Sequence, residues 1–203
     1  MPKIKICGLT RLKDIEAVNI IKPDFIGFVF APSKRQVTVE KARMLKERLD
    51  KNILSVGVFV NESPENIIAL GKEHIIDMVQ LHGDESEKEI IEIQKSLGIP
   101  IIKAVRVQSA EQIMKAEQLP CDYLLLDAFV SGQYGGSGKQ IDLTFIPSMK
   151  KPFFLAGGLT KENLSAVLLR CNPYAVDVSS GVETDGGKDR EKMEAMVNII
   201  RQS

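Results

Sequence analysis

Two side chains in this sequence have the makings of a proton-transfer pair, the Cys7 thiol and the Asp127 carboxyl. A thiolate can remove a proton and a carboxylic acid can deliver one. Other residues nearby in the pattern suit an anionic substrate. Arg35 offers a planar guanidinium fork that matches a carboxylate, although a solvated surface arginine is the commoner case. Glycine recurs at Gly135-Gly136-Ser137-Gly138, Gly157-Gly158 and Ser179-Ser180-Gly181, where backbone N–H groups could approach a phosphate. Each glycine pair alone is usually only a turn; their recurrence after three different apolar runs is the informative feature. Gln80 and His82 alternate onto one face, as do Asp177 and Ser179, and all four are candidates for lining a pocket. The plainer reading makes His82 a loop cap, Asp127 a turn residue and Cys7 a small buried hydrophobe.

What could bring these residues together is the alternation of short apolar runs with longer stretches of helical periodicity, the pattern of a parallel sheet covered by helices. The runs are Lys3 to Ile6, Phe25 to Phe28, Ile53 to Val58, Met78 to Leu81, Ile101 to Ala104, Tyr123 to Leu126, Phe153 to Ala156 and Ala175 to Val178. Helix starts are signalled by Ser86 with Glu89, Ser109 with Gln112, Ser63-Pro64, Thr38 and Thr160. Apolar faces follow at helical spacing, as in Ile67, Ile68 and Gly71, or Met193, Met196, Val197 and Ile200. Eight such units predict a compact (β/α)₈ TIM barrel with trimmed loops, since the architecture typically takes about 250 residues. The sixth unit is the weakest, because a polar glycine-rich stretch from Ser131 to Gln140 precedes only the short run Leu143 to Ile146. An open doubly wound sheet is the competing fold.

In either fold, residues just after a strand share one face. Cys7, Asp127 and the glycine loops fall on that face. Cys121 and Cys171 precede strands and should lie roughly 17–20 Å away, so the three cysteines cannot form one site. Alternation in the first strand turns Lys5 and Cys7 inward and Ile4 and Ile6 toward the helices. In a closed barrel the eighth strand neighbours the first, which predicts a Lys5–Asp177 ion pair with a structural or pocket-organising role.

Composition narrows the function classes. A chain of 203 residues, 44% hydrophobic and without low-complexity tracts, reads as one domain over residues 1–203. Lysine plus arginine and aspartate plus glutamate each number 27, so no global field recruits nucleic acid or an anionic membrane. No secretory leader or membrane-spanning run is apparent, which predicts a cytoplasmic protein. Three cysteines without CxxC spacing and only two histidines argue against a disulfide framework or a metal site, so neither metal nor cofactor is expected.

Several segments resemble the phosphoribosylanthranilate isomerase family of tryptophan biosynthesis: Lys5-Ile-Cys-Gly-Leu-Thr-Arg11, Val79-Gln-Leu-His-Gly83, Leu126-Asp127 with Gly135-Gly-Ser-Gly138, Leu155-Ala-Gly-Gly-Leu159 and Asp177-Val-Ser-Ser-Gly-Val-Glu183. The resemblance spans nearly the whole chain. It implies Cys7 as general base, Asp127 as general acid and Arg35 as the partner of the substrate carboxylate, although Ser33-Lys34-Arg35 differs from the family's frequent Ser-Pro-Arg. It implies an Amadori rearrangement of a small phosphorylated substrate in which the substrate's own iminium is the electron sink. Rival readings are a sugar-phosphate epimerase, an indole-glycerol-phosphate synthase, and a phosphometabolite-binding domain without turnover. The sequence does not specify an oligomeric state.

Overall fold

Eight short apolar strands in a sheet covered by helices on one side can bury their remaining face by curling until the first meets the last. They do so in the computed structural model, which describes residues 1–129 and 140–202. Strands β1 (Lys3–Cys7), β2 (Phe25–Val29), β3 (Leu54–Phe59), β4 (Met78–Leu81), β5 (Ile101–Val107), β6 (Tyr123–Ala128), β7 (Phe153–Leu155) and β8 (Ala175–Val178) form a closed barrel in sequence order. Neighbours are parallel, and the ring closes where β8 pairs with β1, Lys5 opposite Asp177. The fold is therefore the TIM barrel and not the open sheet.

The covering helices are α1 (Leu12–Ile21), α2 (Val39–Lys46), α3 (Pro64–Lys72), α4 (Glu87–Leu97), α5 (Ala110–Ala116), α6 (Leu164–Leu168) and α7 (Arg190–Gln202). Between β6 and β7 the described residues hold only a single 3₁₀ turn, Leu143–Phe145, where the apolar run is too short for an amphipathic helix. After β8 comes a small antiparallel hairpin of β9 (Glu183–Thr184) and β10 (Gly187–Lys188).

Most helix starts follow their sequence signals. Ser86 and Glu89 form the reciprocal capping box, Ser63 caps α3 ahead of Pro64, and Thr38 caps α2. Ser109 caps α5, while the Gln112 side chain accepts from Gln108 one residue earlier than a capping box requires. Thr160 is not the cap of α6. Asn163 holds that position, and its side chain reaches back to the Thr160 N–H.

Two cores result from strand alternation. Ile4, Ile6, Val79, Leu124, Leu126 and Val176 face outward into the layer shared with the helices, joined by Met193, Met196, Val197 and Ile200 of α7. Phe25, Val56, Met78, Ile102, Leu125 and Phe154 fill the barrel interior. At the N-terminal end of the strands the interior closes with aromatic rings. Phe25 and Phe154 lie 5.4 Å apart between centroids, Tyr123 and Tyr174 4.9 Å, and the Lys3 ammonium sits 5.1 Å from the Tyr174 ring. This plug leaves the opposite, C-terminal end free for chemistry.

Phe154 is fully buried and touches Phe25, Tyr123 and Tyr174. Phe154→Ala should cost about 3–5 kcal/mol through lost burial and a residual cavity, lowering Tm by roughly 6–20 °C for a chain of this size. Thermal unfolding monitored by circular dichroism measures this; a near-wild-type Tm would show that the plug does not support the barrel.

Candidate active site

Cys7 closes β1 at the C-terminal end of the barrel, 8% exposed. Two glycines open the space around it. Gly27 lies opposite in β2, and a Cβ there would fall 2.6 Å from the Cys7 sulfur. Gly8, at φ +84°, lets the Arg35 side chain cross the backbone, since a Cβ would fall 2.5 Å from Arg35 Cδ. Two positions before Cys7 on the same inward face, Lys5 reaches both carboxylate oxygens of Asp177 at 3.0 Å. Burial alone would depress the Lys5 pKa, but Asp177 overturns that and keeps the ammonium charged. Burial likewise pushes the Cys7 thiol up, with Lys5 and Lys188 pulling it back toward the thiolate.

Asp127 stands at the corresponding end of β6, buried, with Oδ1 accepting the Ala128 N–H at 2.8 Å. Its Oδ2 lies 3.4 Å from Nε2 of His82. The Gln80 amide nitrogen donates to Nδ1 of His82 at 2.8 Å, so a neutral ring carries its proton on Nε2, toward Asp127. Gln80 Oε1 and His82 Nε2 are buried with no hydrogen-bond partner among the described residues. Buried polar atoms are normally satisfied, so this pair marks a place where a ligand can supply the missing partners.

The loop carrying His82 is fixed from beneath. Lys103 Nζ donates to the carbonyl of Gly83 at 2.7 Å and to Glu85 Oε2 at 3.0 Å, while Glu85 accepts the N–H groups of Gly83 and Asn61. Sequence reasoning gave Lys103 and Glu85 no role. They are nevertheless the reason for the charge that follows the His-Gly pair: a buried ion pair with these extra hydrogen bonds holds one loop shape.

The glycine loops after β7 and β8 meet on the same face. Gly157 and Gly158 both have positive φ, at 91° and 57°. Gly181 packs directly under the β7 loop, where a Cβ would sit 2.0 Å from the Leu159 carbonyl oxygen. Ser180 and Gly181 begin a short 3₁₀ turn, and the Ser179 hydroxyl donates to the Cys7 carbonyl at 3.1 Å. Gly136 lies outside the described residues. Cys121 and Cys171 precede β6 and β8 at the other end of the barrel and are free thiols, apart from Cys7.

Arg35 is not an open fork. Glu183 takes Nε at 2.6 Å and Nη2 at 3.0 Å along one edge of the guanidinium. Lys188 joins the same carboxylate at 2.8 Å and also bonds the Ser179 carbonyl at 2.9 Å. Desolvation works against the Glu183 charge, but Arg35 and Lys188 hold its pKa down to about 2. Neither Glu183 nor Lys188 was singled out from the sequence, although a signal was there. Asp185-Gly186, both at positive φ, forms the two-residue turn of a hairpin, and such a turn sets Glu183 opposite Lys188.

With Cys7, Asp127, the glycine loops and a half-engaged arginine on one face, comparison with known proteins is decisive. A family model described as N-(5'phosphoribosyl)anthranilate (PRA) isomerase matches residues 4–199. The chain belongs to the PRA isomerase family. A relative named N-(5'-phosphoribosyl)anthranilate isomerase from Endomicrobium trichonymphae is 47% identical over 201 residues, covering 99% of both chains. One of the same name from Lachnoclostridium phytofermentans is 47% identical over 204 residues, covering 94% of each. The crystal structure of phosphoribosyl anthranilate isomerase from Thermotoga maritima superposes with a TM-score of 0.90 at 35% identity, with both chains fully covered. A further PRA isomerase structure, in complex with reduced 1-(o-carboxyphenylamino)-1-deoxyribulose 5-phosphate, matches at a TM-score of 0.83 and 33% identity over 100% of both chains. Membership of the PRA isomerase family makes this barrel an isomerase of tryptophan biosynthesis.

The low Glu183 pKa has a consequence for acid stability. Its ordinary value is 4.5 and its folded value about 2, so its contribution is fully present above pH 4.5 and is lost as pH falls toward 2. Glu183→Gln should flatten the pH dependence of unfolding in that window, by up to about 1.4 kcal/mol per pH unit for one proton. Urea unfolding from pH 2 to 6 measures the slope; an identical slope in the variant would show that the group titrates normally.

Proposed function

We propose that the chain catalyses the Amadori rearrangement of N-(5-phosphoribosyl)anthranilate to 1-(2-carboxyphenylamino)-1-deoxyribulose 5-phosphate, with Cys7 as general base and Asp127 as general acid. The observation that carries the assignment is the shared floor of the barrel mouth: Cys7 beside Lys5 on β1, Asp127 of β6 beside His82 from the end of β4, and buried polar atoms of Gln80 and His82 left without partners among the described residues.

The working form holds a proton on Asp127 and none on Cys7. Asp127 gives its proton to the furanose ring oxygen as the C1–O bond breaks, and the anilino nitrogen lone pair forms the C1 iminium. Cys7 then takes the proton from C2, and the C2–H electrons move toward the iminium to give an enolamine. Tautomerisation of the enolamine to the ketone completes an isomerisation with no net gain or loss of atoms or electrons. Lys5 next to the sulfur favours the thiolate that the second step needs, with Asp177 keeping the lysine charged and in place. Gln80, His82 and Asp177 line the floor under the sugar. The glycines and serines of the β7 and β8 loops, Gly157, Gly158, Ser179, Ser180 and Gly181, offer backbone N–H groups to the phosphate. Arg35 faces the anthranilate carboxylate. In this reading the whole chain is one catalytic domain acting in the cytoplasm, and no helix of the described residues is long and apolar enough to cross a membrane.

Mixing the protein with freshly generated phosphoribosylanthranilate should cause loss of anthranilate-type fluorescence at an enzymatic rate. A well-folded protein without turnover would overturn the reading. Cys7→Ser and Asp127→Asn should each lower kcat by about 10²- to 10⁴-fold, the usual worth of one general acid or base. Serine stays protonated near neutral pH, and asparagine has no acidic proton. Thermal unfolding of the same samples separates chemistry from folding: a variant with wild-type Tm and near-wild-type turnover removes that residue from the mechanism.

A further inference from the structure

We propose that Glu183 is a positioning residue that presents Arg35 end-on to the substrate carboxylate, an inference that rests on the reading of Arg35 given above. A guanidinium has two usable forks for a bidentate carboxylate, the side edge of Nε and one Nη and the end formed by both Nη groups. Glu183 fills the side edge, with contacts to Nε at 2.6 Å and to Nη2 at 3.0 Å. The end fork is left for a second carboxylate, and its direction is set by where Glu183 sits.

Glu183 is itself held in place. Its side chain is 8% exposed, and Arg35 is 13% exposed beside it. The hairpin pairs it with Lys188, whose ammonium reaches Glu183 at 2.8 Å and the Ser179 carbonyl at 2.9 Å. Ser179 in turn bonds the Cys7 carbonyl. One chain of contacts therefore runs from Arg35 through Glu183 and Lys188 to the loop after β8 and to the strand carrying Cys7. The carboxylate-binding end and the proton-abstracting sulfur are thus linked through Glu183 and Lys188, which are not placed against the substrate.

The sign of a charge removal distinguishes this role from a purely electrostatic one. Arg35, Lys188 and Lys34 surround the single Glu183 carboxylate, Lys34 at 3.4 Å. If Glu183 only moderated that positive field, an uncharged residue there would strengthen the binding of an anion. A positioning role requires the opposite, because glutamine can accept only with its oxygen and turns an NH₂ toward the second donor.

The experiment measures Kd by calorimetry for two unreactive ligands, reduced 1-(o-carboxyphenylamino)-1-deoxyribulose 5-phosphate and the same compound lacking the carboxylate. Wild type should prefer the carboxylated ligand, and Glu183→Gln should weaken that ligand by roughly tenfold, the low end for a charge-assisted bidentate contact, while the other changes by less than about twofold. Retained preference in the variant, tighter binding of the carboxylated ligand, or equal weakening of both overturns the positioning role. Wild-type protein without any preference overturns the reading of Arg35 itself, and the inference with it. Glu183→Asp keeps the charge and a partner for Lys188 but draws the carboxylate back by one methylene. It serves as the second variant if the amide does not fold, and it too must lose part of the preference.

Discussion

The seam between β8 and β1 is the constraint on which the rest of this barrel depends. A parallel sheet of eight strands has no exposed edge only if its last strand finds its first, and here the match is fixed at Lys5 opposite Asp177. A slip of one residue would turn Lys5 and Cys7 into the helix layer and bring Ile4 and Ile6 inward. The ion pair resists that slip because the Lys5 side chain is fully buried and that of Asp177 only 9% exposed, so each would be costly alone. Such pairs add little net stability compared with well-packed apolar residues, so its value lies in register. The same contact also holds the Lys5 ammonium beside the Cys7 sulfur, which joins closure of the fold to the residue proposed as base.

Seen from that seam, the candidate active face is a ring of strand ends whose side chains are braced two residues further down the strand or from a neighbouring loop. Lys5 and Asp177 brace Cys7; Gln80 and the Lys103–Glu85 clamp brace His82, which faces Asp127; Glu183 and Lys188 brace Arg35. The opposite end of the barrel interior is built differently. It is filled by the rings of Phe25, Tyr123, Phe154 and Tyr174, which supply burial and shape. Stability and reactivity therefore occupy opposite ends of the same eight strands.

Much of this was legible in the sequence, and the reason is that strand alternation and helix capping are local signals. The eight apolar runs match the eight strands within a few residues, and the inward turn of Lys5 follows from a period of two. Asp177 could be paired with Lys5 because closure makes the eighth strand the neighbour of the first. The structure departs from the sequence reading where tertiary partners decide. β5 continues to Val107 because β6 offers it partners as far as Ala128. Asn163 displaces Thr160 as the cap of α6 because the chain makes a turn first. Arg35 reads as a free cation in sequence and proves to be bound by Glu183, 148 positions away. The space that Gly27 leaves for the Cys7 sulfur likewise becomes visible only once β1 and β2 are in register.

The seam also has a history in time. Lys5 and Asp177 are 172 positions apart, so at a synthesis rate of about 5–20 residues per second β1 leaves the ribosome roughly 10–30 s before the strand that completes it. Throughout that interval β1 lacks its β8 neighbour, and an unpaired strand edge is where strands recruit one another into aggregates. Lys3 and Lys5 on this strand are charged and hydrated then, and charged side chains at a rim discourage such pairing. The lysine that ends as a buried counter-ion thus begins as a guard on an unfinished edge, and gives up its water only when its partner arrives.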